Sequence, residues 1–211
     1  RRVIYMMQVN GDILIRSVLL QAGFVSFLFF GAELGDVTLA ANQVLLQFVY
    51  LASYAMDGFV FAAESLVGQA MGAKAVAQLR RGASVTAVWT FGLAFIMAAG
   101  FWTVGPFTID VMAKDPGVQQ AARLYLPHIV FAPLLGALAW MLDGVFIGAT
   151  RTKDMRNMMI LSFLGYCGLV LLLLPNFGNH GLWMAMNGFF ILRGVSLALR
   201  YPALERVAAA P

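Results

Sequence analysis

Apolar runs near the length of a bilayer crossing, parted by short polar breaks, recur along the whole chain, and no other feature restricts its fold as strongly. A hydrocarbon core about 30 Å thick takes roughly 20 apolar residues per crossing helix. Six stretches meet that need, at about 13–32, 39–71, 83–107, 126–149, 158–174 and 182–199. Of the 211 residues, 61% are hydrophobic and 11% charged, against roughly 25% charged in soluble domains. In lipid every backbone polar group must be satisfied internally, which leaves helices as the reading of such long runs. The sequence therefore predicts an all-α polytopic membrane protein with six transmembrane helices. The second stretch is too long for one straight crossing and is expected to tilt, kink or pass beyond the bilayer surface. Pro127 and Pro133 are expected to bend or loosen the start of the fourth.

The charges sort by loop. Arg1 and Arg2 precede the first stretch, while Lys74, Arg80 and Arg81 follow the second. Arg151, Lys153 and Arg156 follow the fourth, and Arg200 and Arg206 follow the sixth. The intervening breaks carry Lys114 and Arg123 beside Glu33, Asp36, Asp110 and Asp115. By the positive-inside rule both ends of the chain are cytoplasmic, as in an inner-membrane protein. A net charge of +4 spread in this way follows topology and forms no dense basic patch, so a nucleic-acid partner is not expected. The opening "RRVIYMMQ" has neither an initiator Met nor a signal-peptide cleavage pattern, and is read as belonging to a longer protein. Cys167 is the single cysteine, which excludes an internal disulfide.

Two apolar stretches contain an aspartate followed by glycine. "MDGFVFAA" (Met56 to Ala63) and "LDGVFIGA" (Leu142 to Ala149) align residue by residue on the second and fourth stretches, which run in the same direction. This is the pattern of an internal parallel repeat. Each copy puts a small residue four positions after the glycine, Gly58 with Ala62 and Gly144 with Gly148, and such pairs mark helix-contact faces in membranes. An aspartate at mid-depth costs about 2.5 to 3.5 kcal/mol on insertion scales. It persists when paired, solvated or protonated, and desolvation raises a carboxyl pKa toward the range where protons exchange. Asp57 and Asp143 are accordingly ion- or substrate-binding candidates, with packing or interfacial pairing to a basic loop residue as the alternative for Asp143.

Other polar residues weigh less. Asp12 and Arg16 have the i, i+4 spacing of a local ion pair. Glu64 is expected at the cytoplasmic interface, pairing with Lys74 or Arg80. Gln21, Asn42, Gln43 and Gln47 either bond between helices or line a cavity. Trp102 and Trp183 fall near span ends, where indole rings suit the headgroup region, while Trp89 and Trp140 are expected in packing. His128 and His180 show no metal-ligand spacing, so no metal site and no cofactor is expected.

"NGDILIRSVLLQAGF", "LGDVTLAANQVLLQFVYLASYAMDGFVFAAESLVGQAMGAK" and "MLDGVFIGATRTKDMRN" together resemble the second half of a MATE (multidrug and toxic compound extrusion) transporter, more narrowly its DinF-like branch. The likeness runs from about Asn10 to Tyr201. It implies a twelve-span protein of two six-helix lobes, of which this chain is the C-terminal one and the N-terminal lobe is the missing partner. It also implies alternating access and export of small organic, often cationic, compounds in exchange for H+ or Na+. Some members place a cation-binding acid on the tenth span, and Asp143 occupies a comparable place. Those members also use an acid in the seventh span, where this chain offers Gln21. In the DinF-like branch the resemblance points instead to an aspartate in the other lobe.

Three alternatives remain at this stage. A lipid-linked-saccharide flippase of the same superfamily should show a more cationic cavity. A phosphotransferase of the CDP-alcohol type shares Asp-Gly in a helix, but no arginine follows within "DGFVFAAE" and no acids recur at i+4, which disfavours an enzyme. A purely structural membrane domain would use the acids only for packing.

Overall fold

The computed structural model describes residues 2–209. Five helices occupy nearly all of them: α1 (Arg2–Glu33), α2 (Asp36–Gly72), α3 (Val76–Met112), α4 (Pro116–Gly148) and α5 (Thr152–Ala208). All five are long and apolar enough to cross a membrane. The turns between them are short, so consecutive helices run back along one another. Local chemistry sets several ends. Gly35, at φ 111, opens α2, and Asp115 caps α4 by accepting from the backbone N–H of Gly117 at 2.7 Å and of Val118 at 3.1 Å. Pro116 follows at the first helical position, where its missing N–H is no loss. α4 then continues through Pro127 and Pro133 as a single helix.

Two expected segments, 158–174 and 182–199, are the two arms of α5, helices joined without an intervening loop, so five continuous elements stand where six separate ones were expected. The polar break between them, Pro175 to Gly181, remains helical except at Gly178, which at φ 55 and ψ −133 reverses the chain inside α5. At about 1.5 Å per residue α5 would otherwise be far longer than any bilayer is thick. Its arms fold against each other as an antiparallel pair. Leu192 lies against Gly165, Leu169 against Gly188, and the hydroxyls of Ser162 and Ser196 meet at 3.4 Å. The long second segment is one helix of 37 residues, which at about 1.5 Å per residue extends well past a hydrocarbon core of about 30 Å.

α4 is the central helix. Of its most apolar stretch 78% is buried, against 17–33% for the other four helices. Its closest neighbour is α2, lying parallel to it: a Cβ added to Gly144 or Gly148 would run into the backbone of Val60 or Glu64 respectively. The contact face expected at Gly144 and Gly148 is thus present. At Gly58 and Ala62 it is not. Both are exposed, and a Cβ on Gly58 would meet nothing within 4 Å. The repeated motif is used differently in its two copies because α4 is surrounded and α2 has an open side.

Candidate functional site

Asp143 owes its burial to α4's central position, and it is 5% exposed. Its Oδ2 accepts from Arg193 Nη2 at 2.8 Å and also from Arg16 Nη2. Arg193 comes from the second arm of α5 and is 2% exposed; Arg16 comes from α1. The Arg193 guanidinium also lies over the Phe189 ring, 5.8 Å from its centroid. Met155, Met158, Met159 and Leu197 close over the pair, and the space among them does not admit a water molecule. One carboxylate therefore answers two guanidiniums, and Arg16 Nε, Arg193 Nε and Arg193 Nη1 have no acceptor. An incoming cation would have to displace an arginine from Asp143. The basic partners are residues of α1 and α5, not of the loop that follows α4.

A second ion pair adjoins it in sequence and corrects another expectation. Asp12 does not pair with Arg16 along α1. It accepts instead from Arg156 Nη1 at 2.6 Å and from Thr152 Oγ1 at 3.2 Å. Asp12 is 5% exposed, so both α1 charges are directed across to other helices, where burial strengthens them. Glu64 pairs with neither Lys74 nor Arg80; Arg80 holds Glu205 in a two-bond fork, each bond 2.9 Å.

Asn42 is wholly buried and bonded. Its Nδ2 donates to Asn179 Oδ1 at 2.7 Å, and its Oδ1 accepts from Asn179 Nδ2 and Trp183 Nε1, both at 2.9 Å. This cluster fastens the turn at Gly178 to α2. Trp183 is consequently a core residue, 0% exposed, rather than an interfacial one. Trp140 is packed as expected, whereas Trp89 is 63% exposed. The two histidines meet, His128 Nε2 and His180 Nδ1 being 3.0 Å apart. No group of three or more potential metal ligands occurs among the described residues.

Asp57 has the opposite surroundings to Asp143. It is half-buried on α2 and enters no ion pair among the described residues. Gln43, Gln47, Tyr50, Tyr54, Asp57, Phe61 and Ser65 recur three or four apart, which places them along one helix face. Gln43, Gln47, Tyr54, Phe61 and Ser65 are exposed, and Tyr50 and Asp57 half-buried. The outer face of α3 is more apolar: Val88, Phe95, Ile96 and Phe107 are among its exposed residues. Gln21 is exposed on α1.

The sequence reading missed Arg193, Asn179 and the reach of Arg156. A signal for the first was present, since Arg193 is the one charged residue within the stretch 182–199. Charges inside an apolar run call for a partner, and Asp143 is the partner.

Three comparisons place the chain among known proteins. The MatE family model matches residues 13–173. The chain is similar to DNA damage-inducible protein F of Escherichia coli (strain K12), with 38% identity over 92% of this chain and 42% of that protein. It is 28% identical to Protein DETOXIFICATION 42 of Arabidopsis thaliana over 77% of this chain and 32% of that one. The probable multidrug resistance protein NorM of Pseudomonas aeruginosa is 27% identical over 80% of the chain and 36% of its own length. The fold matches the Vibrio cholerae MATE transporter VcmN in its bent form with a TM-score of 0.86 at 17% identity, covering 95% of this chain and 46% of that one. The chain thus spans less than half the length of the relatives it matches, and those relatives are transporters, not enzymes. With its fold, its apolar helices and a family match over most of its length in agreement, the chain belongs to the MatE family.

Proposed function

We propose that the chain is one six-crossing lobe of a secondary active antiporter, both its ends cytoplasmic, which exports small organic cations in exchange for H+ or Na+. A second lobe, absent from this chain, would close the transport cleft, and the site would open alternately to either side. Residues 13–173 matching the family and the coverage of under half of each relative support the two-lobe reading. The reversal at Gly178 supports two crossings within α5.

The observation that carries the cation reading is Asp57. Asp57, like Glu64 two turns further on, is a carboxylate of α2 that no arginine holds, and it is Asp57 that has aromatic rings, Tyr54 and Phe61, one turn to either side. A carboxylate between aromatic faces receives an organic cation by charge and by cation–π attraction together. The open face of α2 about Tyr54, Asp57 and Phe61 is our choice for the cleft wall, and exposed Gln21 on α1 for a second contribution to it; Gln43 and Gln47, further along α2, border the crevice between α2 and α3 instead. Asp143 takes the structural role, tying α4 to α1 and α5. The flippase alternative needs cations free on an open surface, whereas Arg16 and Arg193 are committed to Asp143 beneath methionines.

The test is efflux of a fluorescent organic cation from everted vesicles holding the full-length protein. Asp57→Asn is expected to lower gradient-driven efflux at least tenfold while leaving insertion and thermal stability intact. Unchanged efflux in that variant would remove Asp57 from the mechanism and return the cation site to the other lobe.

A further inference from the structure

A crevice between α2 and α3 changes character along its length. Its deep part is a cavity of about 340 Å3 lined by Gln47, Phe48 and Leu51 of α2 and by Gly100, Phe101 and Thr108 of α3. Carbon forms nearly all of this wall, and no acid or base lines it. Phe48 and Phe101 make the floor, edge to face with ring centroids 5.1 Å apart. The upper part, about 400 Å3, shares Gln47 and Met112 with the first and ends at Gln43, Lys114 and Asp115 in the α3–α4 turn. From Met97 at the bottom to Met112 at the junction, α3 rises about 22 Å at 1.5 Å per residue. One leaflet's hydrocarbon is about 15 Å deep.

The charges at the mouth are available. Lys114 has no carboxylate partner among the described residues. Asp115 caps α4 with Oδ1 alone, leaving Oδ2 uncommitted. Val104 of the crevice wall is exposed and apolar, as are Phe95, Ile96 and Phe107 of α3, so the crevice opens onto an apolar outer surface. An organic cation in the deep part would find no carboxylate there, whereas an acyl chain would find only surfaces like itself.

We propose that this crevice seats one phospholipid of the leaflet at the α3–α4 turn. Its acyl chain lies along Gly100 and Phe101, its phosphate on Lys114 Nζ and the ammonium of an ethanolamine head on Asp115 Oδ2. The proposal requires a membrane-embedded lobe and is independent of the role given to Asp57. A lipid held there would fix the spacing of α2, which carries the open polar face, against α3.

The experiment is native mass spectrometry of the full-length protein after equilibration in vesicles of equal phosphatidylethanolamine and phosphatidylglycerol, with and without an added fluorescent organic cation. The expected result is retention of one phosphatidylethanolamine in preference to phosphatidylglycerol. Gly100→Phe projects into the crevice, since a Cβ there meets nothing within 4 Å; it should lower retention about tenfold, the equivalent of about 1.4 kcal/mol of binding. Thr108→Phe, in the same deep part but two turns nearer the mouth, should do the same. Should neither variant insert, Asp115→Asn at the surface decides: the amide oxygen still caps α4, and loss of the carboxylate must abolish the preference for phosphatidylethanolamine. Equal retention of the two lipids by the unaltered protein, retention unchanged in the crevice variants, or the organic cation held in the lipid's place and released by Gly100→Phe would each overturn the proposal.

Discussion

Replacing Asp143 by Asn isolates what its carboxylate does. The side chain keeps its shape and loses its charge, so Arg16 and Arg193 are left facing each other with no anion between them. Arg193 is 2% exposed and its Nε and Nη1 already lack acceptors, so neither water nor another side chain takes the carboxylate's place. Removing one member of a buried ion pair costs about 3 to 5 kcal/mol. Here two cations depend on the same oxygen, which puts the expectation at the upper part of that range. The other single removals should differ in a set order. Arg16→Met leaves a balanced Asp143–Arg193 pair and should cost less than about 1 kcal/mol, since the Arg16 side chain is 16% exposed and its pair is the more solvated one. Arg193→Met leaves Asp143 with Arg16 and should fall between these values. Combining Asp143→Leu with Arg193→Met removes a charge of each sign and should restore most of the stability lost in Asp143→Asn, as apolar replacement of buried ion pairs does elsewhere. Denaturant unfolding of the purified protein in detergent, read by tryptophan fluorescence, measures all four. A loss below about 1 kcal/mol in Asp143→Asn, together with strongly reduced efflux, would refute the structural role and make Asp143 part of the transport chemistry.

The remaining expectations are quicker to state. Gly144→Leu should prevent the approach of α4 to Val60 and abolish stable insertion, while Gly58→Leu, on the open side of α2, should leave folding unchanged in thermal melts of detergent extracts. Gly178→Ala puts a Cβ where φ is 55, and should cost about 1 to 3 kcal/mol in denaturant unfolding. In Asn42→Leu the amide of Asn179 and the indole N–H of Trp183 lose their buried partner, with a loss of about 1 to 3 kcal/mol for each orphaned group and earlier hydrogen exchange at the turn.

The sequence by itself determined the class of this protein, because apolar runs of bilayer length admit only helices in lipid, and its apolar stretches fall within the five long helices. It also singled out both Asp-Gly copies and the glycines of α4. What it left open was which neighbour each polar group would find. Asp12 and Arg16 have the spacing of a local pair, yet across-helix partners in a drier place bind each more strongly, and that preference exists only once α1, α4 and α5 pack. Asp57 and Asp143 stand in nearly identical motifs. One became the anion of a buried ionic centre and the other has no ion-pair partner among the described residues, because α4 is enclosed around Asp143 and α2 has an open side at Asp57. Gly178 shows the same limit at the level of the backbone: glycine permits a reversal anywhere, and only the packing of Leu169 on Gly188 and of Asn179 on Asn42 fixes it there. Helix formation in lipid is a local consequence of composition. The pairing of charges and the choice of an open face depend on which helices come to lie side by side.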